Sequence, residues 1–343
     1  MPEQSDYLPS ALPGMLPLRA RLLQTVRRFF DERGYFEVDT PLLSHDRVVD
    51  PHLEPFIVDG QQGALYLQTS PEFAMKRLLA AGATAIYQVG HVFRAGELGR
   101  LHNPEFTMVE WYRTGDTHVE QMQVVEELVV EVFRAAQGSP LRVPPASTPQ
   151  SGGAALPEVP FVRSTYRDAF VKYAACDVME MTAAQLANLA RERAVLAPES
   201  LGPNDRDGWL NLLLAELIEP RLGRERPEFL LDYPVSQAAL ARIRPGHPPV
   251  AERFELYIAG VELCNGYHEL TEPDELRRRI EVESQRRISE GLCRLPTSSR
   301  LLAAMEAGLS PCAGVALGFD RLMMLAVQAT SVAEVIPFSF DRA

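Results

Sequence analysis

Residues 93–112, FRAGELGRLHNPEFTMVEWY, set two strand-like runs on either side of a polar loop. A strand, a polar loop carrying two arginines and a histidine, and a second strand make a β-loop-β unit. Side chains alternate between the two faces of a strand, so Phe106, Met108, Glu110 and Tyr112 share one face of the second strand. Taken singly, Phe106 or Tyr112 reads as a core aromatic. An aromatic ring, a carboxylate and a phenol together, beside an arginine-rich loop, point to a site for a ring and a charged ligand.

Two further stretches carry chemistry. In RFELYIAGVELCNGYHEL, residues 253–270, carboxylates recur at Glu255, Glu262 and Glu269. A two-residue turn at Ala259-Gly260 would set Tyr257 opposite Glu262, with Glu255 a diagonal neighbour on the same face, roughly 7–8 Å away. Like charges that close repel unless a cation lies between them, and carboxylates with phosphate oxygens are the usual ligands of Mg2+. A solvated hairpin face is the competing reading. In GVALGFDRLMML, residues 314–325, a strand of small residues leads into a helix that starts at Asp320-Arg321. An arginine in a first helical turn opposes the helix dipole, a cost offset if it meets polyphosphate; Asp320 could equally be a cap. Neither G-x-x-x-x-G-K-[ST] nor G-x-G-x-x-G occurs, so side chains and metal must hold the phosphates of any ATP.

The spacing of apolar residues predicts helices at 17–33, 118–136, 183–194, 206–222, 272–290 and from Asp320 to Gln328. Ser70-Pro71-Glu72 predicts the start of another, ending at Gly82. Strands are expected at 84–94, 105–112, 228–233, 252–258, 261–267 and 314–319, with an extended segment from Tyr35 to Val38. Helices and strands mix without βαβ alternation, which predicts an α+β fold with an antiparallel sheet. Residues 139–160, rich in Pro, Ser and Gly, are expected as a surface loop within a single domain over 1–343.

Composition narrows the function. The 34 Lys and Arg against 46 Asp and Glu leave a formal charge of −12, which argues against a grip on long nucleic acid and suits a cationic small substrate or a basic partner. No apolar stretch approaches the ~20 residues that cross a bilayer. Glu3, Asp6 and two prolines precede any apolar run, unlike a secretory signal. The four cysteines form no C-x-x-C pair, which fits a reducing cytoplasm.

Together, the three stretches resemble the signature motifs of class II aminoacyl-tRNA synthetases, with HNPEFTM (102–108) and NGYHEL (265–270) nearest the lysine-specific branch. RGYFEVDTP (33–41) is similar to the dimer-forming first motif, FRAGE…HNPEF to the second and GVALGFDR to the third. Lysyl-tRNA synthetases carry an anticodon-binding barrel before the first motif, where this chain has only about sixteen residues ahead of the helix at 17–33 that leads into it. That feature, the acidic charge and the runs GRLHNPEFTMVEWYR, VAERFELY and CNGYHELT resemble the elongation factor P–(R)-β-lysine ligases. Ala316 stands where lysyl-tRNA synthetases have glycine, consistent with a pocket reshaped for a different amino acid.

The resemblance implies a class II synthetase catalytic fold, a homodimer, and adenylation of (R)-β-lysine or lysine by ATP with Mg2+. Transfer to elongation factor P would follow, with tRNA not expected as acceptor. It implies that Arg94 holds the α-phosphate and substrate carboxylate, that His102 and Asn103 contact ATP, and that Phe106 stacks on adenine. Arg321 would cover the other side of the ring, with Gly318 giving close approach and Leu263 beside the nucleotide. Glu255 and Glu262 would bind Mg2+. Glu72, Tyr112 and Glu269 would receive the substrate's two ammonium groups and Asn265 its carboxylate, with Ser70 and Pro71 also in the substrate-binding set. The second motif reads Arg94-Ala95-Gly96-Glu97 where the family has Arg-x-Glu, so Glu97 or the backbone of Gly96 would replace the usual adenine contact. A lysyl-tRNA synthetase paralogue and a non-catalytic regulatory subunit are the alternatives.

Overall fold

The computed structural model of the protein describes residues 7–47, 53–60, 63–138, 155–289, 296 and 298–343. Helix α1 (Met15–Asp31) forms because Leu18, Leu22, Val26 and Phe29 recur on one face, and that face is buried. Short strands β1 (Phe36–Glu37), β2 (Leu43–Ser44), β3 (Ile57–Gly60) and β4 (Gly63–Leu67) follow, then α2 (Glu72–Ala80), β5 (Ala85–Phe93) and β6 (Glu105–Thr114). Helix α3 (His118–Gln137) opens with a capping box in which Thr117 and Glu120 satisfy each other's end of the first turn. Next come β7 (Val162–Thr165), α4 (Tyr166–Ala174), α5 (Ala183–Glu192), α6 (Arg206–Leu213) and β8 (Glu228–Pro234). The chain closes with β9 (Ile243–Arg244), β10 (Val250–Ile258), β11 (Val261–His268), α7 (Pro273–Ser289), α8 (Arg300–Gly308), β12 (Cys312–Gly318) and α9 (Phe319–Ala326).

One sheet runs β1-β5-β6-β12-β11-β10-β8-β7, with β9 beside β10. Its central strands, β5 through β8 in that order, pair antiparallel, as the α+β expectation requires. The edge pairs β1/β5 and β7/β8 are parallel, so the sheet is mixed rather than wholly antiparallel. A small antiparallel sheet, β2-β4-β3, lies apart from it.

The core on one face joins α1, α3 and α9 to Tyr87, Val109, Trp111, Val315 and Leu317. On the other face α2, α7 and α8 pack around Ile86 and Tyr112, while α4, α5 and α6 gather over β8. The functional surface lies between these last two clusters.

The predicted 206–222 helix is broken. After α6 the chain widens into a π turn, Leu214–Ile218, and then tightens into a 3-10 turn, Glu219–Arg221. Pro220 has no N–H to continue an α ladder, and the change of winding turns Glu219 inward. Helices α4 and α8 and the small sheet were not expected. Of the predicted 139–160 loop, residues 139–154 lie outside the described residues, as does residue 290 of the predicted 272–290 helix.

Candidate active site

Period-two alternation holds along β6. Thr107, Val109 and Trp111 turn into the buried side, while Met108, Glu110 and Tyr112 turn the other way. Across the ladder on β12, Tyr112 faces Gly314, Glu110 faces Ala316 and Met108 faces Gly318. Ala316 and Gly318 on β12 thus border open space above this strip, while the Tyr112 ring fills the space over Gly314.

The hairpin between β10 and β11 turns through Ala259 and Gly260, both with positive φ (54° and 77°), as a two-residue turn of the primed type requires. Tyr257 faces Glu262 as expected, but the register then shifts: Leu256 faces Cys264, and Leu263 is left without a partner. This β-bulge decides the site. In a regular strand Glu262 and Asn265 would point to opposite faces, whereas the extra residue changes the parity and brings Glu262 to the face of Asn265. Glu110, Ala316, Asn265 and Glu255 then form a single row across four strands.

Above this row is a cavity of about 930 Å³. Arg94, Glu97, His102, Asn103 and Phe106 line it together with Glu255, Glu262, Leu263, Asn265, Gly318 and Arg321. The Arg94 guanidinium lies 5.1 Å from the centre of the Phe106 ring. Arg321 donates to the Glu262 carbonyl at 2.9 Å and the Leu101 carbonyl at 3.1 Å, and lies 2.6 Å from His102 Nε2. Burial and the neighbouring Arg321 charge push the His102 imidazole below its usual range. A neutral His102 can accept from that guanidinium. Gly96 has φ +81°, and this left-handed turn brings the Glu97 carboxylate to 3.6 Å from Arg94 and into the cavity. The Asn103 amide donates to the Glu105 carbonyl and accepts from the Phe340 N–H, so its side chain braces the loop against the C-terminal segment.

Ser70, Pro71, Glu72, Tyr112 and Glu269 lie beyond the cavity wall, in a buried cluster that continues the β6 strip. Ser70 Oγ accepts from the Glu72 N–H at 3.0 Å and donates to Glu110 at 2.8 Å. The Tyr112 hydroxyl donates to Glu110 at 2.6 Å. Burial, helped by the Glu72 charge, pushes the Glu110 carboxyl up to about 7. Burial also raises Glu269, against the pull of Lys76. Glu110 and Lys76 had no assigned role in the sequence. Alternation placed Glu110 on this face, and Lys76 stands one helical turn from Glu72 on α2.

A third acidic group joins the expected metal pair. Glu219 sits close enough to Glu255 and Glu262 that burial and both charges push it up to about 7. Desolvation in the cavity and the Glu255 charge likewise raise Glu262. Glu255 is held by Arg253 at 2.5 Å and by the Tyr257 hydroxyl at 2.6 Å. Carboxylate oxygens whose mutual repulsion a cation would relieve suit a hard divalent ion such as Mg2+. Elsewhere, His118, Glu252 and His268 cluster in a buried spot, but Glu252 already accepts from Arg242 at 2.8 Å and pairs with Arg244. His268 Nδ1 lies 2.8 Å from Glu252 and the His118 and His268 rings stack, so this cluster ties α3 to the sheet.

A family model of class II tRNA synthetases (D, K and N) matches residues 7–342. An elongation factor P–(R)-β-lysine ligase of Vibrio cholerae is 42% identical over 348 residues, 99% of each chain. Proteins of the same name from Edwardsiella ictaluri and Klebsiella pneumoniae are 42% and 41% identical over the full length of both chains. With the second and third motifs meeting on neighbouring antiparallel strands beside the cavity, this match over nearly every residue means that the chain belongs to the class II tRNA synthetase family of the D, K and N type.

Proposed function

We propose that the protein is an ATP-dependent ligase that activates (R)-β-lysine, or lysine, as its adenylate and transfers it to a lysine side chain of elongation factor P. The observation that carries this reading is the union of two compartments. A cavity lined by two arginines and an aromatic ring adjoins a buried cluster of carboxylates. The first suits a nucleotide, the second an ammonium group. The relatives' shared name supplies the acceptor.

The substrate carboxylate is itself the nucleophile. One of its oxygens attacks the α-phosphorus in line, the bond to the β-phosphate oxygen breaks, and pyrophosphate leaves with the electron pair. Arg94 lies where it can hold the α-phosphate and the attacking carboxylate, and Arg321 where it can hold the γ-phosphate. Their contribution is positioning and neutralisation of charge as it develops. Phe106 supplies a stacking face for adenine, with His102, Asn103, Gly96 and Glu97 around it and Gly318 and Leu263 opposite. Glu255 and Glu262 would hold Mg2+, which supplies further neutralisation of the phosphates. Glu72, Tyr112 and Glu269, with Ser70 and Pro71, receive the ammonium groups, and Asn265 the carboxylate. In the second half-reaction the acceptor amine attacks the acyl carbon, AMP leaves, and the amine loses a proton to form the amide.

A neutral substrate side chain would leave buried carboxylates unpaired, so the pocket should select a diamino acid. Phe36, Leu42 and Leu43, in and just after the first-motif segment, are exposed, which supports a homodimer through that segment. We place the whole chain in one catalytic domain that works in the cytoplasm; among the described residues no helix is long and apolar enough to cross a membrane. Amino-acid-dependent ATP–pyrophosphate exchange tests the activation step. Exchange with (R)-β-lysine or lysine but not with norleucine is expected, and exchange with norleucine alone would sink the reading.

A further inference from the structure

Lys76 has no part in the mechanism above, yet it sits at the centre of the buried carboxylate cluster to which the ammonium groups are assigned. It is only 1% exposed. Its Nζ lies 2.6 Å from Glu72 Oε1 and 2.5 Å from Glu269 Oε2, with the Tyr112 ring centre at 5.9 Å. Glu72 begins α2 and Glu269 follows β11, so one ammonium ties together two carboxylates from distant parts of the chain. Burial works against a charged lysine, but Glu269 and Glu72 outweigh it and hold the proton on.

The charged and titratable groups facing Lys76 are Glu72, Glu269, Glu110, Tyr112 and Cys312. Three carboxylates therefore share one internal cation. Glu269 Oε1 is buried without a hydrogen-bond donor, and it lies against Gly314 beside the Tyr112 ring. An acceptor left unfilled beside an internal cation can take a further donor.

We propose that Lys76 is a positioning and specificity residue for the amino acid: a fixed counter-ion that holds Glu72 and Glu269 at the spacing that accepts a second ammonium, the substrate's. The proposal rests on the ligase reading above. With Lys76 in place, a cationic side chain completes the pairing of the cluster and a neutral one does not. Without Lys76 the carboxylates lose their tether, and protonation takes its place at neutral pH.

The test is ATP–pyrophosphate exchange by the wild type, Lys76→Met and Lys76→Arg. Lys76→Met should raise the KM for (R)-β-lysine or lysine about a hundredfold, as breaking a buried ion pair does, with little change in the KM for ATP. Lys76→Arg keeps the charge and should recover at least about tenfold of that loss. An unchanged amino-acid KM in Lys76→Met, or an equal rise in both KM values, would overturn the role of Lys76 and leave the ligase reading intact. A wild type that exchanges with no diamino acid would overturn that reading and this inference with it. A measurement on the wild type covers a variant that fails to fold. With isotope-labelled lysine, the Lys76 ammonium signal should stay charged and protected from solvent with and without bound substrate. Loss of that protection on binding would mean that the substrate displaces Lys76, contrary to the proposal.

Discussion

Gly314 stands directly across the ladder from Tyr112, and a Cβ at that position would lie 2.2 Å from the Tyr112 ring and 2.9 Å from Glu269 Oε1. Only a residue without a side chain lets the phenol lie against β12 and reach Glu110. Gly314→Ala should therefore push Tyr112 off Glu110. The expected cost is about 1–3 kcal/mol of stability from overpacking, read by urea unfolding. The amino-acid KM should rise at least about tenfold while the ATP KM holds, since one lost buried hydrogen bond to a charged group is worth that much. A normal amino-acid KM in a folded variant would contradict this placement of Tyr112.

The pH dependence follows from Glu110, whose carboxyl is pushed from its ordinary 4.5 up to about 7 by burial. The folded state keeps a proton there that the unfolded chain gives up. Its contribution to stability is therefore full below about 4.5 and is lost as pH rises through about 7. Substrate binding has the opposite sign, because an ammonium favours the ionised carboxylate. Binding of (R)-β-lysine should release a proton near neutral pH and tighten as pH rises through that range. Calorimetry in buffers of different ionisation enthalpy measures this directly, and proton uptake would contradict it.

Arg321 reaches the cavity from the first turn of α9 and is fixed by the Glu262 and Leu101 carbonyls. Such a preorganised donor acts mainly on charge developing in the transition state. Arg321→Ala should lower the rate of pyrophosphate exchange about 10²–10³-fold with little change in melting temperature. Loss of fold without loss of rate would place Arg321 among the structural residues instead.

Much of the site was legible because β6 obeys simple alternation: Met108, Glu110 and Tyr112 share a face as their spacing requires. The hairpin turn at Ala259-Gly260 was legible for the same reason. The bulge at Leu263 was not, since a register shift leaves no mark in residue type, and without it Glu262 and Asn265 could not share a face. Glu219 was hidden because helical periodicity over 206–222 gives no warning of a π turn. Lys76 could have been found, as i+4 spacing sets it on the side of Glu72, but a lysine among helix-forming residues reads as solvated surface. The two- to five-residue strands of the small sheet are too short to show a period.

Arg19 links α1 to the third motif. It pairs with Asp320 at 2.6 Å, donates to Thr107 Oγ1 at 2.6 Å and lies 5.1 Å from the Phe319 ring centre, all well buried. Asp320 in turn accepts from the Thr107 N–H at 2.9 Å, which holds α9 against β6. Removing one partner leaves a buried charge, so Arg19→Met should cost about 3–5 kcal/mol in urea unfolding. The double change Arg19→Met with Asp320→Asn should cost less than the sum of the two single changes; strict additivity would show that the pair is not coupled.

The central claim is transfer of a diamino acid to a protein acceptor, and intact-mass spectrometry of elongation factor P tests it most directly. The factor is incubated with this enzyme, ATP, Mg2+ and (R)-β-lysine, beside a parallel tRNA-charging reaction. The account predicts a single added lysyl group on the factor and uncharged tRNA. An unchanged factor together with charged tRNA would contradict it and assign the same site to tRNA aminoacylation.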